Sequence, residues 1–313
     1  MLRSVGMELA LGIDAGGTGT RAVVAESPDH AAGPWRIVGR GAAGPGNPIS
    51  AGPAALLEIA AAIRQALGHR SPASVRAAAL GLSGTSALDD PRTRDRFSQM
   101  WTELGLTCPM TVVGDVLTAF VAGTRSPSGA VLIAGTGAVA ARIDQLAIVR
   151  VVDGLGWLLG DEGSGRWLGL RAVRAAARSF DSPFATRIAA HAGVTSCDEL
   201  VRWAQALPLD AIAALAPTVC AEARHGDPDA TAIVTDAVRR LLRTLDSLDS
   251  PGPVVLAGSL LTADTPIRDA LLTTLRARGT EVTLAGDPAE AAAHLAARTQ
   301  PAPRGASPAP THP

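Results

Sequence analysis

The chain predicts an α/β protein of two duplicated lobes facing each other across a cleft, on three observations. Its 313 residues exceed the roughly 100–200 of one ordinary domain and suffice to bury two cores. A strand, a glycine-rich turn and a second strand open the chain and return about 120 residues later, too long a period for a solenoid. Short apolar runs alternate with stretches of helical periodicity around these hairpins.

Leu9 to Ile13 is a short apolar run ending at Asp14; a Gly/Thr turn follows, and Thr20 to Ala25 runs back as the second strand. Trp35 to Val38 makes a third strand, and Ala54 to Leu67 repeats apolar residues at helical spacing. Val75 to Leu82 is a strand stopped by Ser83-Gly84-Thr85. A helix around Arg92–Leu104 and a strand from Met110 to Val113 follow, the latter ending at Gly114-Asp115. Asp115 thereby lies at a strand's carboxyl end, just where ligands of parallel and mixed sheets collect.

The second half repeats the theme with strands at Val131–Ala134, Val139–Ile143 and Ile148–Val152, the first two joined by Gly135-Thr136-Gly137. Ala-rich helical segments run from about Ser164 to Ser247. Val254–Ala257 is a strand closing on Gly258-Ser259, with a helix around Ile267–Arg278, a short strand at Glu281–Leu284 and a terminal helix at Pro288–Arg298. The expected division is residues 1–117 for the first lobe, 118–285 for the second, and 286–298 as a helix returning to the first. Residues 299–313 form a Pro/Ala-rich tail expected to be disordered.

Hydrophobic residues at 47% and charged residues at 18% place the chain among globular proteins. A net charge of -1 supplies no global field for nucleic acid or an anionic membrane, so any phosphate must be held locally, by backbone amides or a metal. Cys108, Cys197 and Cys220 are odd in number and far apart, which fits neither a disulfide framework nor a cluster motif. The six histidines lack metal-ligand spacing. No apolar run approaches the roughly 18–20 residues of a membrane span. The expectation is a cytoplasmic protein with no nucleic-acid or membrane partner.

Gly16-Gly17-Thr18-Gly19-Thr20 has the backbone freedom to bring N–H groups close to an anion, with threonine hydroxyls as further donors. Asp14 before it suits a magnesium ion held largely through water. A lone turn of this kind is more often a plain hairpin than a phosphate loop; the matching Gly135-Thr136-Gly137 favours the phosphate reading.

These loops, Gly258-Ser259 and above all Gly154-Leu155-Gly156-Trp157-Leu158-Leu159-Gly160-Asp161-Glu162-Gly163-Ser164-Gly165 resemble the N-acetylglucosamine kinase group. That group shares the actin-like, ribonuclease H-like fold of hexokinase and of the ATPases that activate benzoyl-CoA reductase and 2-hydroxyacyl-CoA dehydratase. The resemblance runs from about residue 9 to 298 and implies an ATP-dependent kinase acting on the 6-hydroxyl of glucosamine or N-acetylglucosamine, with ATP and Mg²⁺ as cofactors. It implies that Asp14 with Gly16, Gly17, Thr18, Gly19 and Thr20 holds the β- and γ-phosphates and the metal. Gly135, Thr136 and Gly137 would clamp the phosphates from the other lobe, with Gly258 and Ser259 beside the adenosine. Asp115 matches the catalytic base that takes the proton of the attacking sugar hydroxyl. Asn47, in Gly44-Pro45-Gly46-Asn47-Pro48, matches a sugar contact, as do Gly154 and Asp161. Relatives often pair as dimers.

Asn47 alone also reads as a turn residue before proline, and Trp157 and Trp167 read as core packing or as cleft walls. Asp153 has no role in the resemblance. It precedes Gly154 and either meets a substrate ammonium or is a solvated loop carboxylate. Two further readings share the fold: an ATPase activating a partner reductase, disfavoured by the cysteine positions, and a non-catalytic sugar sensor, disfavoured by the retained Asp14 and Asp115.

Overall fold

The computed structural model describes residues 8–27 and 35–298; the Pro/Ala-rich tail from 299 onward lies outside them. Each half builds one five-stranded mixed sheet. The first contains β1 (Glu8–Ala15), β2 (Thr20–Ser27), β3 (Arg36–Ala43), β4 (Val75–Leu82) and β5 (Met110–Gly114), in the order β3-β2-β1-β4-β5. The second contains β6 (Gly129–Ala134), β7 (Ala138–Asp144), β8 (Ala147–Asp153), β9 (Val254–Ala257) and β10 (Val282–Leu284), in the order β10-β9-β6-β7-β8. Read from the other edge, the second sheet repeats the first strand for strand. In each, three antiparallel strands come first and two parallel strands are added beside the opening one. The expected duplication is thus present at the level of topology.

The helix Ala54–Leu67 buries Ile59, Ile63 and Leu67 on the first sheet with Leu11, Ile13 and Leu80, the stripe that its helical spacing predicts. The helix Pro288–Arg298 covers the opposite face, setting Ala292 and Ala296 on Ala10, Ala77 and Ala79. It lies so close that a Cβ on Gly12 would stand 2.1 Å from the Ala289 carbonyl oxygen and 2.2 Å from the Ala293 nitrogen. Only glycine permits that approach. Helices between Gly165 and Asp246 cover the second sheet, in a core that includes Leu132, Leu168, Phe184, Ile188 and Leu241. Among the described residues, no single helix is long and apolar enough to cross a membrane.

The helix Asp115–Val121 is absent from the sequence expectation, which passes from Asp115 to the strand at residue 131. Its Val116, Leu117 and Phe120 pack with Val131, Ile143 and Val255 of the second sheet. The expected lobe boundary after residue 117 therefore falls inside a continuous helix that begins at the end of β5 and is buried on the other lobe's sheet. Seven residues are too few for periodicity to reveal such an element.

Candidate active site

β1, β4 and β5 are parallel, and Asp14 stands beside Gly81, which stands beside Val113. Their carboxyl ends share one edge, which carries Asp14, Ser83 and Asp115. Burial pushes the Asp115 carboxyl above the usual range, while bonds from the Ser83 hydroxyl and the Val116 amide pull against it. Asp14 is pushed up to about 7, first by burial and then by the charge of Asp115, with Arg21 opposing and Asp287 adding to the rise.

Two half-buried carboxylates, with the charge of Asp115 raising the cost of ionising Asp14, form a hard-oxygen site short of positive charge. That donor set fits Mg²⁺, which is held by one or two carboxylates together with water and phosphate oxygens. Among the described residues, no group of three or more His, Cys, Asp or Glu side chains forms a dedicated cage, so the remaining ligands of such an ion would come from water and nucleotide. Asp14 would hold it, and there it would neutralise charge on the phosphoryl oxygens during transfer.

The Asn47 loop is fastened to this edge. Asn47 caps the short helix Pro48–Ala51, its Oδ1 accepting the Ile49 amide at 2.8 Å, while its Nδ2 donates to the Ser83 hydroxyl at 3.3 Å. The cap is the turn role open to an asparagine before proline; the link to Ser83 brings the same side chain toward Asp115. Gly46 N donates to Gly16 O at 3.0 Å. Thr20 departs from expectation. Its side chain is buried at 1% exposure, and its hydroxyl is spent on the Gly44 carbonyl at 2.9 Å. It ties the Asn47 loop to the glycine turn after β1, so its hydroxyl is not free for the expected contact with phosphate.

In the second lobe Gly135 N donates to Gly137 O at 2.9 Å, closing the turn. The segment from Asp153 to Gly165 wraps this turn from outside. Asp161, 6% exposed, accepts the Ala138 amide on Oδ1 at 3.1 Å. Burial raises its carboxyl, the Ala138 amide lowers it, and the charge of Asp153 raises it further. Gly154 N donates to Ala138 O at 3.0 Å. Asp153 is more than a solvated loop carboxylate: its two oxygens accept the Asp161 amide at 2.7 Å and the Glu162 amide at 3.0 Å. Trp167 packs at the margin of the second core, under the guanidinium groups of Arg171 and Arg240.

A cleft of about 730 Å³ joins the pieces, lined by Gly17 and Thr18 of the first loop, Gly135 and Thr136 of the second, and Ser259. Gly137 stands behind it against Asp161, and Gly258 makes the turn with φ of 85°. One wall, missed in the sequence, is Ala213, Ala216, Pro217 and Cys220, faced by Leu260 and Ala263. Burial pushes the Cys220 thiol up to about 11, so it is a neutral wall atom. The walls are bridged by Arg224, whose two terminal nitrogens each lie 2.9 Å from an Asp264 oxygen. The small residues of that wall recur at helical spacing, a signal that sequence alone cannot tell from a core stripe. Apolar walls beside two glycine turns suit a nucleoside with its phosphates between the lobes.

The chain is 32% identical over 98 residues to the N-acetylmuramic acid/N-acetylglucosamine kinase of Clostridium acetobutylicum, a match covering 31% of this chain and 32% of that one. The likeness thus spans about a third of that relative's length. A crystal structure from Chromobacterium violaceum, provisionally assigned as an N-acetylglucosamine kinase, superposes with a TM-score of 0.69 at 26% identity, over 93% of this chain and 99% of the other. Two more show the fold alone, each again covering 93% of this chain and 99% of its own. One, from Porphyromonas gingivalis and assigned in the same way, has a TM-score of 0.71 at 22% identity. The other, a ROK family glucokinase from Streptomyces griseus in complex with glucose and AMPPNP, has a TM-score of 0.60 at 20% identity. The family model for the BadF/BadG/BcrA/BcrD ATPases matches residues 11–293, and this chain of two lobes belongs to that family.

Proposed function

We propose that the protein is a cytoplasmic, ATP-dependent amino-sugar kinase that phosphorylates the 6-hydroxyl of glucosamine or N-acetylglucosamine. The observation that carries this reading is the shared edge of β1, β4 and β5. There a half-buried carboxylate, Asp115, lies within hydrogen-bonding reach of Ser83, which bonds Asn47, beside a glycine loop that opens into the nucleotide cleft. The names of the relatives, N-acetylglucosamine kinases among them, support an amino sugar as acceptor.

In this reading Asp115 takes the proton of the sugar hydroxyl as the oxygen attacks the γ-phosphorus, and ADP departs. Gly16, Gly17, Thr18, Gly19, Gly135 and Thr136 align the phosphates through backbone N–H groups, while Ser259 borders the nucleoside. Asn47, Gly154 and the second oxygen of Asp161 complement the sugar hydroxyls, which both donate and accept. Positioning and charge neutralisation supply most of the rate, the base about 10²–10⁴-fold.

The test is ADP release with glucosamine, N-acetylglucosamine, glucose and N-acetylmannosamine, with the phosphorylated position assigned by NMR, for wild type and Asp115→Asn. Phosphate on the 6-oxygen of an amino sugar, with turnover lowered by orders of magnitude in the variant and binding nearly intact, is the expected outcome. Turnover with none of the sugars, or an unimpaired variant, would refute the assignment.

A further inference from the structure

We propose that Asp153 is a positioning residue that locks the substrate loop to the phosphate clamp of the second lobe, so that the sugar and nucleotide sites are set together. The inference rests on the kinase reading above and gives this carboxylate a task other than reading an ammonium group.

The loop from Asp153 to Glu162 leaves the end of β8 and returns to where it began. Four of its residues have left-handed backbone, Asp153 at φ 66°, Gly154 at 73°, Gly156 at 80° and Asp161 at 55°. Two of the four are not glycine, and such strain persists only where surrounding bonds over-determine it. The Asp153 carboxylate is the bracket at the loop's base, one oxygen on the Asp161 amide and the other on the Glu162 amide. Gly160 makes room for it: a Cβ there would stand 2.1 Å from Asp153 Oδ1.

What the bracket holds is joined to the clamp by four bonds. Both backbone groups of Ala138, the residue after Gly135-Thr136-Gly137, go to the loop: its N–H to Asp161 Oδ1 at 3.1 Å and its carbonyl to the Gly154 amide at 3.0 Å. Gly165 N donates to Gly135 O at 2.7 Å, and Arg166 N to Thr136 O at 3.4 Å. The loop's far end is anchored by Glu162 to Arg240, whose guanidinium lies 5.3 Å from the Trp167 ring centroid. With that end fixed to the helices, releasing the base moves Asp161, and through Ala138 it moves the clamp. An asparagine at 153 would keep one acceptor but turn an NH₂ toward a backbone N–H, setting donor against donor.

The test uses the full chain. Asp153→Asn is expected to weaken Mg·AMPPNP binding, measured by calorimetry without sugar, by about tenfold. It is also expected to raise KM for glucosamine, N-acetylglucosamine and glucose in parallel. In wild type, saturating sugar is expected to tighten AMPPNP, and in the variant that coupling is expected to be lost. Wild-type AMPPNP affinity with a loss confined to glucosamine would overturn the proposal and return Asp153 to ammonium recognition; no change in either ligand would overturn it outright. Should Asp153→Asn not fold, Gly160→Ala displaces the same oxygen from the other side and is expected to give the same paired loss, and unchanged AMPPNP binding there counts against the proposal. The nucleotide measurement needs no acceptor, so failure of the amino-sugar reading, seen as no turnover in wild type, stays distinct from failure of the bracket.

Discussion

Replacing Asp14 by asparagine isolates the charge stored at the shared edge of β1, β4 and β5. Burial and the charge of Asp115 lift this carboxyl from its ordinary 3.8 to about 7 in the fold. Its contribution to stability is therefore fully present below about 3.8, shrinks as pH rises, and is lost above about 7. At about 1.4 kcal/mol per tenfold change in proton affinity, the gap between 3.8 and about 7 amounts to about 4 kcal/mol. A neutral amide of the same shape escapes that penalty. Without ligands, Asp14→Asn is expected to match wild type near about pH 4 and to exceed it by about 4 kcal/mol at about pH 8. For a chain of this length 1 kcal/mol moves Tm by roughly 2 °C, so the variant should melt about 8 °C higher at the upper pH. Scanning fluorimetry of both proteins across that range reads the difference, and a Mg·ATP arm should show the variant losing most of the ligand-induced rise in Tm. A Tm difference that does not change with pH, or a variant less stable than wild type at the upper pH, would refute the argument that Asp14 is desolvated and repelled by Asp115.

Ser83→Ala removes the hydroxyl that lowers the Asp115 carboxyl, so the acid limb of the kcat/KM profile should move to higher pH. Ser83→Thr should restore it, and an unshifted limb in the alanine variant would remove Ser83 from the positioning of the base. Gly12→Ala would drive a Cβ into the backbone of the helix Pro288–Arg298. Urea unfolding should show a loss of at least about 3 kcal/mol, the upper part of the overpacking range, and a loss under about 1 kcal/mol would mean that the helix can back away.

The elements that the sequence by itself determined are those whose signal is local. Ala54–Leu67, Val75–Leu82, Val254–Ala257 and Pro288–Arg298 appear with the boundaries that periodicity and Gly/Pro punctuation assign. The glycine turn and its return likewise announce two lobes, because a hairpin's turn chemistry is written in consecutive residues. The tertiary structure decided everything that depends on a partner far along the chain. Thr20 reads as a phosphate ligand until Gly44, 24 residues away, takes its hydroxyl. Ser83 reads as the end of a strand until Asn47 and Asp115 converge on it, and the small residues at Ala213 to Cys220 read as core until they face a cleft. The Asp14 to Thr20 turn shows where the fold could bind phosphate. Which side chains face that phosphate, and which hold the loops that do, follows from hydrogen bonds and burial between lobes and loops, to which no local pattern of residues is sensitive.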